Sequence, residues 1–243
     1  MKSRIVIAVA GVALCGATGA AAEEPLGTSG QIVLSGERLF GVTATTEKET
    51  TDQGGVSVER KSSTTRFTLL GIGNGSAPAA FPRLAIDGFV AEGVSIGGSV
   101  MFVTQTSEVE STSGSTTTKT DGPKLSGFLL APRVGYATML SDAFGLWPRA
   151  GITYYSLTAS DEIDAGGTVS KFESSETGLA LDLEGMLAYS PASHVAIIGG
   201  PVFDLPLSGT DENTTTTGAT TTTTKQDDTF MDFGVLVGVA GYF

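Results

Sequence analysis

The last stretch of the chain, TFMDFGVLVGVAGYF at 229–243, limits the possible folds more than any other. Phe233, Val235, Val237, Val239, Gly241 and Phe243 take every second position, with Asp232, Gly234, Leu236, Gly238, Ala240 and Tyr242 between them. A period of two marks a strand, because successive side chains leave opposite faces of the pleat. A helix would have to hold three glycines and three valines in its interior, where both residue types are unfavourable. The branched apolar residues form one face. The other is too small and too thinly charged to meet water, and suits the crowded inside of a small closed barrel whose apolar outside meets lipid.

The opposite end reads as an export signal. Lys2 and Arg4 form a short basic region, residues 5–14 an apolar one, and Ala20, Ala21 and Ala22 a small-residue cleavage site before Glu23. The apolar run is too short to cross a bilayer as a helix. Cys15 raises a lipoprotein alternative, but that signal wants a small residue before its cysteine and Leu14 stands there. The expected division is a signal peptide at 1–22 and one barrel domain at 23–243. The exported chain would then have no cysteine, so core packing, closure or membrane must stabilise it in place of disulfides.

Loss of Lys2 and Arg4 would take the formal charge from −12 to −14, which argues against nucleic acid as a partner. Beyond residue 22 no apolar run approaches the length of a membrane helix, yet mean hydropathy is +0.17. The apolar residues are therefore spread over many short segments. Strands are expected at 31–46, 64–90 (interrupted at 73–82), 94–107, 124–140, 145–159, 176–189, 194–207 and 229–243. Polar, Thr-rich loops are expected at 47–63, 108–123, 160–171 and 208–228, and tight turns at 91–93, 141–143 and 190–193. Eight spans joined by alternately long and short connections fit an outer-membrane barrel, with short periplasmic turns and long outer loops. A soluble sandwich has no reason to keep one side's connections short.

Facing follows the same rule in other strands. Leu179, Leu181, Leu183, Leu187 and Tyr189 share one side, against Asp182, Glu184, Met186 and Ala188. Charges keep falling on the small-residue side, as a polar lumen requires. Glu37 and Arg38 break the pattern, since strict alternation aims one of them at lipid at a cost of about 2–4 kcal/mol near the midplane. A bulge near Gly36 or Gly41 would resolve the conflict. Pro82, Pro132, Pro148, Pro201 and Pro206 likewise call for bulges or span ends, because a closed barrel has no edge to hide a missing N–H.

Three of these prolines precede arginines, Arg83, Arg133 and Arg149, all on the inward side. Asp87, Asp182, Glu184, Asp204 and Asp232 face them. This lumen charge network reads either as an ion-selecting constriction or as a salt-bridged filling. Eight strands leave an interior just wide enough for side chains, which favours the filling. No cluster has metal-ligand spacing, no cofactor motif stands out, and GIGNG at 71–75 lacks the helix a phosphate loop needs. The single histidine, His194, follows Ser193 at a short turn, the wrong end for outer-leaflet chemistry, so no catalytic residue is assigned.

The closing alternation ending on Phe243 resembles the C-terminal signature of bacterial outer-membrane barrels, and Phe233, Val235, Val237, Val239, Tyr242 and Phe243 carry it. With the loop rhythm and facing pattern, the chain resembles the small eight-stranded group of the OmpA membrane domain, OmpX and opacity-type porins. That resemblance implies an all-β, up-and-down antiparallel transmembrane barrel in the bacterial outer membrane. It also implies outer-membrane lipid and the barrel assembly machinery as partners. The expected function is a non-enzymatic envelope barrel with acidic Thr-rich outer loops. A narrow porin-like channel for ions or small solutes is the alternative, and a lipid A-modifying barrel enzyme comes further behind.

Overall fold

The computed structural model describes residues 25–53, 56–69, 81–113, 116–165 and 168–243. The expected signal peptide at 1–22 and the GIGNG stretch lie outside them. Ten strands follow in order: β1 Ile32–Gln53, β2 Val56–Leu69, β3 Arg83–Ala91, β4 Val94–Ser113, β5 Thr116–Tyr136, β6 Thr138–Met139, β7 Phe144–Ala165, β8 Thr168–Ala192, β9 Val195–Thr217 and β10 Thr220–Tyr242. All ladders are antiparallel. The outer half of β1 pairs with β2 and its inner half with β3, while β6 continues β5 along β7, so ten strands build eight staves. β10 pairs with β1 from Val33↔Tyr242 to Thr50↔Asp227 and closes the ring.

Outward apolar side chains form a continuous band. It runs over 144–154 on β7, 179–189 on β8, 197–207 on β9 and 231–243 on β10, and exposes Phe144, Ile152, Leu187, Ile197, Phe203, Val235 and Phe243. Strands of about 9–11 residues cross a bilayer, which matches the band's height. Tyr136, Tyr154, Tyr189, Phe128 and Phe144 lie at its margins, where amphipathic rings belong. Phe203 and Phe233 pack on one another outside the wall, as do Phe144 and Tyr189.

The connections expected as loops are corrected. Residues 47–53, 108–113, 160–165 and 208–217 continue the strands beyond the band and pair with their neighbours. β-Branched threonine favours the extended backbone, and cross-strand hydroxyl pairs hold the ladder. Thr214 meets Thr223 at 3.1 Å and Thr216 meets Thr221 at 3.1 Å, so the threonine runs form a hairpin turning at Gly218 rather than a poorly ordered loop. Among the described residues, β2 is laddered to β1 alone and the outer half of β4 to β5 alone.

Glu37 and Arg38 both point inward. Three residues, 37–39, stand opposite the single Gly238, Arg38 adopts φ 55°, and the register resumes at Phe40. Gly41 makes this possible, since a Cβ there would strike the Val235 carbonyl. The prolines also fall at ladder interruptions. Pro132, Pro148 and Pro201 sit at gaps in one of their two ladders, Pro206 lies at a register shift, and Pro82 precedes β3.

The lumen is stacked in layers. At the short-turn end lie Leu26, Phe89, Trp147, Met186, Leu236 and Tyr242. Residues 25–31 cross that end, tied by Gly30 N–H to Phe89 O (2.7 Å) and Gly93 N–H to Gly27 O (2.8 Å). Above comes a charged layer, then a second apolar layer of Met101, Leu129, Ala131, Tyr155, Leu157 and Phe230. The mouth above that is acidic.

Candidate functional site

The charged layer joins side chains from six strands. Alternation turns Arg83 and Asp87 of β3, Arg133 of β5, Arg149 of β7, Asp182 and Glu184 of β8 and Asp204 of β9 to the axis, and the β1 bulge adds Glu37 and Arg38. Arg38 is one hub. Its Nη1 donates to Asp204 Oδ2 at 2.9 Å and its Nη2 to Asp182 Oδ2 at 3.0 Å and Glu184 Oε1 at 3.3 Å. Arg133 is the other. It grips Glu37 through Nη1 (2.7 Å) and Nη2 (2.8 Å), and Asp87 through Nε (3.0 Å) and Nη2. Forked pairs of this kind are the stronger form of charge-assisted hydrogen bond.

Arg149 links the hubs. Its Nη1 donates to Glu37 Oε1 at 2.7 Å, its Nη2 lies 2.6 Å from Glu184 Oε2, and its guanidinium carbon stands 4.8 Å over the Trp147 ring. Neutral donors complete the shell: Ser35 to Glu37 at 2.9 Å and Thr153 to Asp182 at 3.2 Å. Arg83 makes one pair, Nη1 to Asp182 at 3.0 Å, and its Nε and Nη2 have no hydrogen-bond partner. Four guanidiniums thus meet five carboxylates in a layer whose members are at most 8% exposed. Such burial is tolerated when charges are mutually paired and forked, and it fills the cross-section.

The structure brings together seven of the eight residues expected to form the network: Arg83, Asp87, Arg133, Arg149, Asp182, Glu184 and Asp204. Asp232 stands apart, nearer the mouth, where it accepts a hydrogen bond from the Thr45 hydroxyl. Sequence reasoning missed that Glu37 and Arg38 are central. Their signal was the adjacent pair of opposite charges between Gly36 and Gly41. In the closing strand Phe233, Val235, Val239 and Phe243 are exposed and Tyr242 is buried on the lumen side. His194 holds this end, with its Nδ1 2.9 Å from Tyr242 O and its ring stacked on Phe243.

No protein-family model and no curated protein sequence matches the chain. Among solved structures, the chain is similar to the outer membrane protein OprG from Pseudomonas aeruginosa at 12% identity, covering 90% of this chain and 99% of that one with a TM-score of 0.49. It is also similar to the outer membrane protease OmpT from Escherichia coli, at 9% identity over 88% of this chain and 97% of that one with a TM-score of 0.41. A third likeness is to Ail, the attachment invasion locus protein of Yersinia pestis, at 12% identity over 89% of this chain and all (100%) of that one with a TM-score of 0.36. These likenesses are distant, and the assignment as an eight-stranded, outer-membrane-type barrel rests on the chain's own ladders, closure and facing.

Proposed function

We propose that the chain is a non-enzymatic barrel of the bacterial outer membrane, closed across its lumen, that presents long acidic hairpins to the surroundings. One observation carries this reading: the paired charge layer lies between two apolar layers, and residues 25–31 cross the short-turn end. Water and ions crossing the barrel would have to break the Arg38 and Arg133 forks and part both apolar layers. The partners that follow are outer-membrane lipid around the apolar band and, by the end motif, the assembly machinery. His194 supports the non-enzymatic side of the reading, since its contacts with Tyr242 and Phe243 are those of a strand clip at a turn.

Planar-bilayer recording of the purified full chain tests this directly. The expected record is a flat baseline. Unitary steps that change with Arg133→Ala would overturn the closed barrel in favour of the narrow channel. Deletion of Phe243 should lower the amount of heat-modifiable protein recovered from outer membranes, and unchanged recovery would remove the end motif as an assembly signal.

A further inference from the structure

The acidic mouth is a separate feature from the charge network. Glu176 lies three residues beyond the apolar band on β8 and Asp228 three residues before it on β10, both on the lumen side. They are 8% and 4% exposed, and among the described residues neither has a cationic partner within ion-pair distance. Glu176 Oε1 and Asp228 Oδ1 are buried with no hydrogen-bond partner. A buried carboxylate oxygen with no donor is costly and calls for one. Gly178 leaves room for the Tyr155 hydroxyl, since a Cβ there would strike it.

The surroundings are acidic above and apolar below. Asp211 is the ladder partner of Glu176, and its carboxylate takes neutral donors: Ser174 at 2.9 Å, Asn213 at 2.7 Å and Gln226 at 3.2 Å. Glu49 is the ladder partner of Asp228, and Glu47 follows on the same face. Glu47 and Glu49 line a cavity of about 490 Å³ with Lys61 and Ser62. Arg60 is the ladder partner of Glu49 on β2. The floor is the second apolar layer: Leu157 is the other ladder partner of Glu176, and Phe230 follows Asp228 on its face.

We propose that this mouth binds an organic ammonium of the polyamine class, with Glu176 and Asp228 as its hydrogen-bonding ligands and Tyr155, Leu157 and Phe230 receiving its methylene chain. The sign of the site selects a cation. A metal ion would need its carboxylates drawn into one shell, and among the described residues no three acidic, His or Cys side chains gather that closely. Ammonium groups instead donate to single oxygens, and a chain between them spans separated carboxylates over an apolar floor. The proposal holds whether or not the barrel conducts, because the site lies above the network.

Protonation gives it a signature. Burial pushes the Glu176 carboxyl up to about 8, and the Asp228 and Asp211 carboxylates add to the shift. Burial, then Glu47 and Asp211, push Asp228 up to about 7. At pH 7 the empty mouth therefore holds protons that an ammonium must displace, whereas an alkyl ammonium keeps its charge to about pH 10. Binding should tighten from pH 6 to pH 8 and release protons to the buffer.

Calorimetric titration of the full chain, folded in detergent micelles, with spermidine at low ionic strength tests this. The expected result is saturable binding that weakens more than about tenfold in Glu176→Gln/Asp228→Asn, as the loss of charge-assisted hydrogen bonds implies. Both substitutions remove an unpartnered buried charge, so the variant should retain heat-modifiable gel mobility. If it does not, Asp228→Asn alone carries the comparison. Equal affinity in wild type and variant, or a spermidine affinity no greater than that for Mg²⁺, would overturn the proposal and reduce the mouth to a diffuse negative surface.

Discussion

Charge is buried twice along the axis of this barrel. Around Arg38 and Arg133, carboxylates and guanidiniums meet in forks, and Ser35 and Thr153 add neutral donors. At the mouth, Glu176 and Asp228 are buried to a similar degree without a cation to answer them. Burying a charge costs several kcal/mol in either layer, and only the network recovers it within the folded chain. The difference separates two uses of buried polarity. A network of opposite charges paired within the chain specifies one arrangement, whereas carboxylates without a cation keep donors or protons as exchangeable occupants.

The largest expected effect comes from breaking the paired layer. Arg38→Met leaves Asp182, Glu184 and Asp204 short of their shared donor and should cost about 3–5 kcal/mol in urea unfolding, or abolish folding. Arg83→Met should cost far less, because Arg83 makes a single pair and Asp182 keeps Arg38 and Thr153. Similar losses for the two arginines would dissolve the distinction between hub and filler. At the mouth the sign reverses. Glu176→Gln should stabilise the barrel by about 1 kcal/mol at pH 8, the scale of relieving an unsatisfied buried group.

That gain should vanish near pH 4. Burial raises Glu176 above the ordinary carboxylate value near 4.3, so the folded barrel keeps a proton that the unfolded chain has released. Its favourable contribution is complete below about pH 4 and is lost as pH rises through about 8. Wild-type unfolding midpoints should therefore fall over that window, and those of Glu176→Gln should fall less. Parallel curves would place Glu176 among the paired groups. Trp147→Phe loses the 3.0 Å hydrogen bond to Ser95 and leaves part of a fully buried site empty, and should cost about 1–3 kcal/mol, read from the same midpoints.

The network was largely legible in the sequence because its members obey alternation. Once Leu179, Leu181 and Leu183 are set outward, Asp182 and Glu184 can only face in. Glu37 and Arg38 were illegible as ligands because a bulge is a relation between two strands, fixed here by Gly238 of β10 across the seam. The outer hairpins escaped for another reason. Both of their faces meet water, so the hydrophobic period that reveals a half-buried strand is missing, and only threonine's extended preference remains. The mouth depended on those hairpins: Glu176 read as the first residue of a strand, whereas β8 begins at Thr168 and carries it inside a continuing wall.

The bulge at residues 37–39 also has a consequence for how the ring finds its alignment. β10 alternates so regularly that a two-residue slip against β1 would keep every apolar side chain facing lipid. Hydrophobicity is blind to such an error. A slip of that size would move Arg38 by about 7 Å along the wall, well beyond a hydrogen bond from Asp204 and Asp182. The two residues that alternation could not place are therefore the ones that tell a correctly zipped seam from an even-numbered mistake.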